Sequence, residues 1–368
     1  MTSVGHLWLQ DFRVLRAVDI DLTPGLTVVR GENGQGKTSL LEAVYWIART
    51  RSFRGVNDSM LVRVGAERAI VRAEVHSVGR TQLFEAEINT NGRNRVLCNR
   101  QPVARARNLY GLLRVSVFSP DDLALVKGGP AERREYLDEL LAMLAVRYDA
   151  ARSDYERVVK QRNALLRAGV RDRDANTTLD VFDEQLVSAG AELARGRLRL
   201  LDRLGPAVGR AYSALARDEH VVRARYDADW SPEPLTVSDV DAVEDLLRTA
   251  IAARRRAEIE RGVTLIGPHR DEWRLTVNDL DARYQASQGE QRTLALALRL
   301  AGHHVVNELV GAAPVLLLDD VFSELDRARA TALVEHLPEG QTLLTTAGAL
   351  PEGVIAERTM AVCDGRVE

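Results

Sequence analysis

Eight consecutive residues carry the clearest chemistry in this 368-residue chain. Gly31, Glu32, Asn33, Gly34, Gln35, Gly36, Lys37 and Thr38 fit the spacing G-x-x-x-x-G-K-[ST]. Glycines there let backbone N–H groups converge on phosphate oxygens, and a helix starting near Lys37 aims its positive dipole end at the same anion. Lys37 then reaches the β- and γ-phosphates of a nucleotide, and Thr38 offers its hydroxyl to Mg2+. Without a strand before and a helix after, the same letters make only a glycine turn. A second segment, Val315 to Leu318, is four aliphatics running into Asp319 and Asp320. A buried parallel strand delivers its last side chains to the edge where open α/β sheets hold ligands. Asp319 suits the Mg2+ shell, and Asp320 suits a group that orients or deprotonates an attacking water.

The elements needed to hold these residues are visible in the hydropathy. Leu7 and Leu9, then Val18, Ile20 and Leu22, alternate at period two and predict half-buried strands. Pro24 and Gly25 turn the chain into a short buried strand at 26–29, ahead of the glycine loop. After the loop, Leu40, Leu41, Val44 and Ile47 share a helical face. Residues 68–100 alternate again, and Asn91 with Gly92 supplies a hairpin turn, so a small antiparallel sheet is expected. Beyond Gly262 a strand at 314–319, a helix near 325–336 and a strand at 341–345 give the rhythm of a parallel α/β sheet.

The middle of the chain reads differently. Gly128, Gly129 and Pro130 open a long helix. Leu137, Leu141, Leu144, Tyr148, Ala151, Tyr155, Val158, Arg162 and Leu165 follow at 4-3 spacing. Leu179, Phe182, Leu186, Ala189, Leu193, Gly196 and Leu200 follow at 3-4 spacing. Both an antiparallel coiled-coil hairpin and a plain helical domain with amphipathic stripes fit. A further helix is predicted from Asp239 to Arg261, ended by Gly262. The expected organisation is a head of two segments, 1–125 and 262–368, with an inserted helical lobe at 126–261.

Composition bounds the function. At 45% hydrophobic and 28% charged the chain can bury a core, and no apolar run approaches the roughly 20 residues of a membrane helix. No secretory pattern opens the sequence, and Cys98 and Cys363 match no metal or redox spacing, so a cytoplasmic protein is expected. The net charge of −3 means that any nucleic-acid surface must be local. Lys37, Lys127 and Lys160 are the only lysines, and the other 47 basic residues are arginine, a bias that weakens each arginine cluster as a signal. Arg93, Arg95, Arg100, Arg105 and Arg107 are the candidate DNA contacts, reaching phosphates through charge alone; Arg254, Arg255 and Arg256 form a second cluster. Aromatics do not interleave with these stretches, so stacking on single strands is not signalled.

Ser287, Gln288, Gly289, Glu290 and Gln291 precede a helix and lie about thirty residues before Asp319. That order resembles the ABC-type ATPase superfamily, whose signature sits between phosphate loop and acidic strand. The run Asp319 to Asp326, the element Gly267, Pro268, His269, Arg270 and Asp271, the segments Phe118 to Leu123 and Lys127 to Arg134 and the trio Ser52, Phe53 and Arg54 resemble the RecF family in particular. The resemblance spans residues 3 to 346. It implies an ABC-type P-loop head with an antiparallel β subdomain and a helical lobe with short coiled-coil arms. It also implies that the signature acts in trans on a partner protomer's ATP, and that Asp326 belongs to a D-loop. A homodimer gripping duplex DNA near gaps or junctions, with RecO and RecR as partners in recombinational repair, is implied as well. Transporter-type relatives carry a glutamate at the place of Asp320, a Q-loop glutamine near 119–121 and a switch histidine near 345–346. All three are absent here, so slow hydrolysis is expected. An SMC-like DNA tether, a transporter ATPase subunit and a nucleotide-dependent scaffold without DNA are the alternatives, and His269 has no assigned role.

Overall fold

A computed structural model describes residues 2–77, 79–103, 108–170, 173–216 and 220–368, without the side chain of Glu324. The chain forms two compact units. The first comprises Met1–Asp122, Ala211–Asp218 and Ala295–Glu368, the second Leu123–Arg210 and Glu219–Leu294.

Two six-stranded sheets build the first unit. One runs in the order Arg366–Val367, Arg358–Cys363, Leu26–Arg30, Thr342–Thr346, Val315–Asp319, Val115–Phe118. Its neighbours are parallel except for the terminal pair Arg358–Cys363 and Arg366–Val367. Val315–Asp319 is buried at every residue, as a strand covered on both faces must be, which explains its unbroken aliphatic run. The other sheet is antiparallel, ordered Leu15–Asp21, Thr2–Phe12, Arg68–Ser77, Arg80–Asn89, Arg95–Cys98, Gln101–Pro102. Here burial alternates: Ala69, Val71, Ala73 and Val75 face the core from one strand. The helix Lys37–Arg49 touches strands of both sheets and is buried at twelve of its thirteen residues. Gln341 ties the layers together, accepting the Val4 N–H at 2.7 Å and donating to the carbonyls of Val4 (2.7 Å) and Thr23 (2.8 Å).

The second unit packs Pro130–Leu144, Val146–Ala168, Val243–Arg261 and most of Arg173–Ala216 with a small antiparallel sheet. That sheet runs Leu280–Asp281, Glu272–Val277, Val222–Asp227. The 4-3 seam is not one helix. Ala145 is extended (φ −157°, ψ 139°), its N–H closing the first helix on the Leu141 carbonyl. Alanine is the best helix former, so nothing local marks this break; tertiary packing overrides propensity. Tyr148 and Tyr155 instead lie against glycines of the long helix, where an added Cβ would meet them at 2.7 Å (Gly196) and 3.1 Å (Gly190). Arg162 is no seam residue either: it is fully buried and ion-paired to Glu258 (2.6 Å) and Asp183 (2.8 Å), and it donates to Thr264 (2.9 Å). The long helix runs 44 residues, through Pro206 and past the expected limit near Leu200. The helix expected from Asp239 starts at Val243, after a 3₁₀ turn capped reciprocally by Thr236 and Asp239; Gly262 ends it in the left-handed region as expected. Among the described residues no helix is long and apolar enough to cross a membrane.

His303, on the helix Gln288–Val310, is buried with both ring nitrogens lacking a hydrogen-bond partner among the described residues. Burial, with the neighbouring His304, pulls its imidazole down to about 3. The unfolded chain takes up this proton near pH 6.5, so stability is full above that pH. It is lost as pH falls toward the folded value, at about 1.4 kcal/mol per pH unit. His303→Leu is therefore expected to stabilise by about 1–3 kcal/mol at pH 7, by removing unsatisfied polar atoms, and by about 2 kcal/mol more at pH 5. Urea unfolding at both pH values checks this; an equal gain at each would contradict the titration argument.

Candidate nucleotide site

The loop between the strand Leu26–Arg30 and the helix Lys37–Arg49 has the strand–loop–helix context its spacing demands. Gly34 (φ 84°) and Gly36 (φ 116°) take left-handed backbone that side chains disfavour, and a Cβ on Gly36 would meet Leu15 Cδ2 at 2.8 Å. Lys37 is nearly buried and folds over the loop. Its ammonium donates to the carbonyls of Gly31 (2.7 Å) and Glu32 (2.8 Å) and to Asn33 Oδ1 (3.3 Å). All three acceptors are neutral, and no acid sits in the helix's first turn, so an incoming phosphate meets no anionic competitor there.

Below the loop, Glu42 is fully buried and receives both Arg13 Nε and Arg13 Nη2 at 2.8 Å, together with the Ser52 hydroxyl. Ser52 Oγ in turn accepts the Arg54 N–H at 3.0 Å. Ser52, Phe53 and Arg54 are thus anchored to the phosphate-loop helix.

Thr38 and Asp319 meet across 281 residues of sequence: the Thr38 hydroxyl donates to Asp319 Oδ1 at 2.8 Å. Parallel pairing of Val315–Asp319 beside Thr342–Thr346 sets Asp319 opposite Thr345, whose hydroxyl also donates to Oδ1 at 2.8 Å. Burial raises the Asp319 carboxyl, and the Asp320 charge adds to this; the two threonine hydrogen bonds and the Arg54 charge act against it. Asp320 is left-handed (φ 48°), its N–H bound to Thr345 Oγ1 at 3.0 Å, while its carboxylate has no hydrogen-bond partner among the described residues. Lys37, Thr38, Asp319 and Asp320 all lie in the first unit. Among the described residues no three or more His, Cys, Asp or Glu gather as a metal cage. A hard cation held mainly by phosphate oxygens needs only one or two protein oxygens, and Thr38 with Asp319 offers those.

Ser287 to Glu290 belong to the second unit and form a capping box. The Ser287 N–H donates to Glu290 Oε2 (2.7 Å) and the Glu290 N–H to Ser287 Oγ (3.3 Å). Gln291 is buried and clamps the carbonyls of Ala282 and Arg283, both at 3.0 Å, fixing the approach to the helix Gln288–Val310. Ser287 and Gln288 are exposed at its N-terminus, an electropositive end. Asp326 caps the helix Arg327–Glu335, accepting the Arg329 N–H at 2.9 Å.

His269 is a structural hydrogen-bonder. Burial pulls its ring down to about 4, and it pairs through Nδ1 with the Tyr155 hydroxyl at 2.7 Å. Asp271 is buried too, receiving Tyr226 Oη (2.6 Å) and Trp230 Nε1 (2.8 Å), while burial pushes its carboxyl up to about 6. Gly267 is required there, since a Cβ would lie 2.2 Å from Tyr155 Oη.

Of the arginine candidates, Arg93, Arg95 and Arg100 are exposed on the hairpins of the antiparallel sheet and make no ion pair among the described residues. Arg95 lies opposite Glu87 in register. Arg105 and Arg107 lie outside the described residues. Arg255 and Arg256 are ion-paired, to Asp180 and Asp183 and to Glu260 respectively. Nothing in the sequence marks the Arg54 charge beside Asp319 or the hydroxyl of Thr345, save that a threonine stands where a histidine was sought.

A family model described as the RecF/RecN/SMC N-terminal domain matches residues 3–346. A protein named DNA replication and repair protein RecF from Streptomyces avermitilis is 45% identical, covering 99% of each chain. One of the same name from Frankia alni is 46% identical over 96% of this chain and 95% of its own. A solved structure of the recombination mediator protein RecF with ATP in the RecFOR pathway superposes with TM-score 0.91 at 27% identity, covering 100% of this chain and 99% of the other. An Smc head domain from Pyrococcus furiosus shares the fold at TM-score 0.58 and 16% identity, covering 100% and 96%.

Proposed function

Because this chain belongs to the RecF family of DNA replication and repair proteins, with the ABC-type ATPase head of that family, we propose that it is an ATP-gated clamp on duplex DNA. The observation that carries this is the Thr38–Asp319 hydrogen bond, which joins the phosphate loop to the acidic strand end beside an inward-folded Lys37. Gly31 to Lys37 cradle the triphosphate of ATP, Lys37 exchanging its carbonyl partners for β- and γ-phosphate oxygens. Mg2+, when bound, offsets phosphate charge, and Thr38 and Asp319 are the residues to hold it. Asp320, with its carboxylate unengaged, orients the attacking water. In this reading 1–125 and 262–368 form the head and 126–261 the helical lobe, although residues 262–294, with Ser287 to Glu290 among them, cluster in the second unit.

Ser287, Gln288, Gly289 and Glu290 supply the signature in trans: their helix N-terminus closes on the γ-phosphate held by a partner protomer, and Asp326 lies in the D-loop of the same interface. ATP binding assembles the dimer on DNA near gaps or junctions, and weak, DNA-stimulated hydrolysis releases it. Asp320 is one methylene shorter than a glutamate, and Thr345–Thr346 offers no histidine, so turnover is slow. The exposed Arg93, Arg95 and Arg100 are the described candidates for phosphate contacts, with Arg105 and Arg107 beyond them. RecO and RecR are the partners that membership of the RecFOR pathway suggests, and the site of action is the cytoplasm.

Sizing in solution with ATP, with ADP and without nucleotide tests the core of this reading. The wild type is expected to dimerise with ATP only. Ser287→Arg should bind nucleotide with wild-type affinity yet stay monomeric, because the side chain fills the approach to the helix end. Dimerisation of Ser287→Arg at wild-type ATP concentrations would refute the action in trans.

A further inference from the structure

Thr345 is wholly buried, and its single hydroxyl serves both aspartates at once. It donates to Asp319 Oδ1 at 2.8 Å and accepts the Asp320 N–H at 3.0 Å. Its backbone cannot drift, because Thr345 sits between Val29 and Asp319 in parallel register. Asp320 needs such restraint. Its left-handed backbone (φ 48°, ψ 32°) costs a non-glycine residue about 1 kcal/mol. The other side of the residue is gripped at its carbonyl by the Ser323 hydroxyl (2.8 Å) and N–H (3.2 Å). Asp319 Oδ1 is filled by Thr38 and Thr345 together, and no protein donor to Oδ2 is found among the described residues.

We propose that Thr345 is a positioning residue of the nucleotide–metal centre, which sets the Asp319 carboxylate and the Asp320 backbone in a fixed mutual geometry through one shared hydroxyl. This rests on the reading of Thr38 and Asp319 as the protein oxygens that hold the cation. With Oδ1 occupied by two hydroxyls, the carboxylate is restrained from turning and Oδ2 is left free of protein donors among the described residues. Without the Thr345 hydroxyl, Oδ1 keeps one donor, the carboxylate can turn, and the Asp320 N–H is left without its acceptor.

Valine is the shape of threonine without the hydroxyl, so Thr345→Val isolates this role. The probe is Mn2+, read by electron paramagnetic resonance with a non-hydrolysable ATP analogue bound to the full chain. Thr345→Val is expected to weaken Mn2+ by about 10–100-fold, the usual cost of losing an outer-shell partner. Fluorescent-nucleotide affinity in EDTA should change no more than about twofold, and Thr345→Ser should restore Mn2+ binding. Wild-type Mn2+ affinity in Thr345→Val overturns the proposal. So does Thr345→Ser binding Mn2+ as weakly as the valine variant, since the hydroxyl would then not be the agent. Thr345→Ser also keeps the hydroxyl in a chain that should fold if valine does not. Asp319→Asn, run in parallel, separates the two levels: if it binds Mn2+ like the wild type, the cation site itself is misassigned and the proposal about Thr345 falls with it.

Discussion

Lys37→Met is expected to lower ATP turnover by about 10²–10³-fold, the scale of losing one preorganised donor to a reacting oxyanion. The ammonium is held by two backbone carbonyls and one side-chain amide, all neutral. It can therefore move to a phosphate without breaking an ion pair, and a charge-assisted bond is the stronger one. Methionine keeps much of the volume, so the buried niche stays filled and the helix Lys37–Arg49 is retained. Duplex binding at physiological salt should lose its ATP dependence in the same variant. Filter binding with and without ATP measures this; ATP-dependent binding by Lys37→Met equal to that of the wild type would remove the gate from the mechanism.

Arg162→Leu is expected to destabilise the second unit by about 3–5 kcal/mol, the cost of leaving a buried charge without its partner. Glu258 is fully buried, and its second oxygen is already committed to the Leu265 N–H at 2.6 Å. With the guanidinium gone, no other cation among the described residues pairs with that carboxylate, and Asp183 keeps its pair with Arg255. Denaturant unfolding followed by circular dichroism, which weights the helices, gives the magnitude. The double variant Arg162→Leu, Glu258→Leu should recover part of the loss, because an apolar pair leaves no charge stranded. A loss below about 1 kcal/mol in the single variant would show that the pair is solvated rather than buried.

What was readable in the letters was what is local. The loop from Gly31 to Thr38 needs glycines at particular φ values, the strand Val315–Asp319 needs aliphatics on both faces, and Gly262 ends its helix in the left-handed region. Each demand is written within a few residues. What escaped was decided from a distance. Arg162 fits a helical stripe by spacing, but its burial depends on Asp183, Glu258 and Thr264. The break at Ala145 leaves no mark in a residue that favours helix, and Pro206 fails to stop a helix it should weaken. Ser287 and Asp326 show a further ambiguity. The same side chains that a nucleotide interface would use also satisfy helix ends, so their letters serve capping and chemistry alike. Thr345 was visible only as a missing histidine, since its role comes from parallel register with a strand 26 positions away.

The Gln341 amide has a consequence for how the first unit opens. Three hydrogen bonds from one side chain, two of them buried, tie residue 4, the turn at residue 23 and the strand that ends at Thr346. Neither layer can peel away while the amide holds, so the first strand and the late strand Thr342–Thr346 should exchange their amide protons in one cooperative event, although they lie at opposite ends of the chain. Deuterium uptake at Val4 and at Leu343 would then follow a common protection free energy, and a Gln341→Leu variant would split it into two.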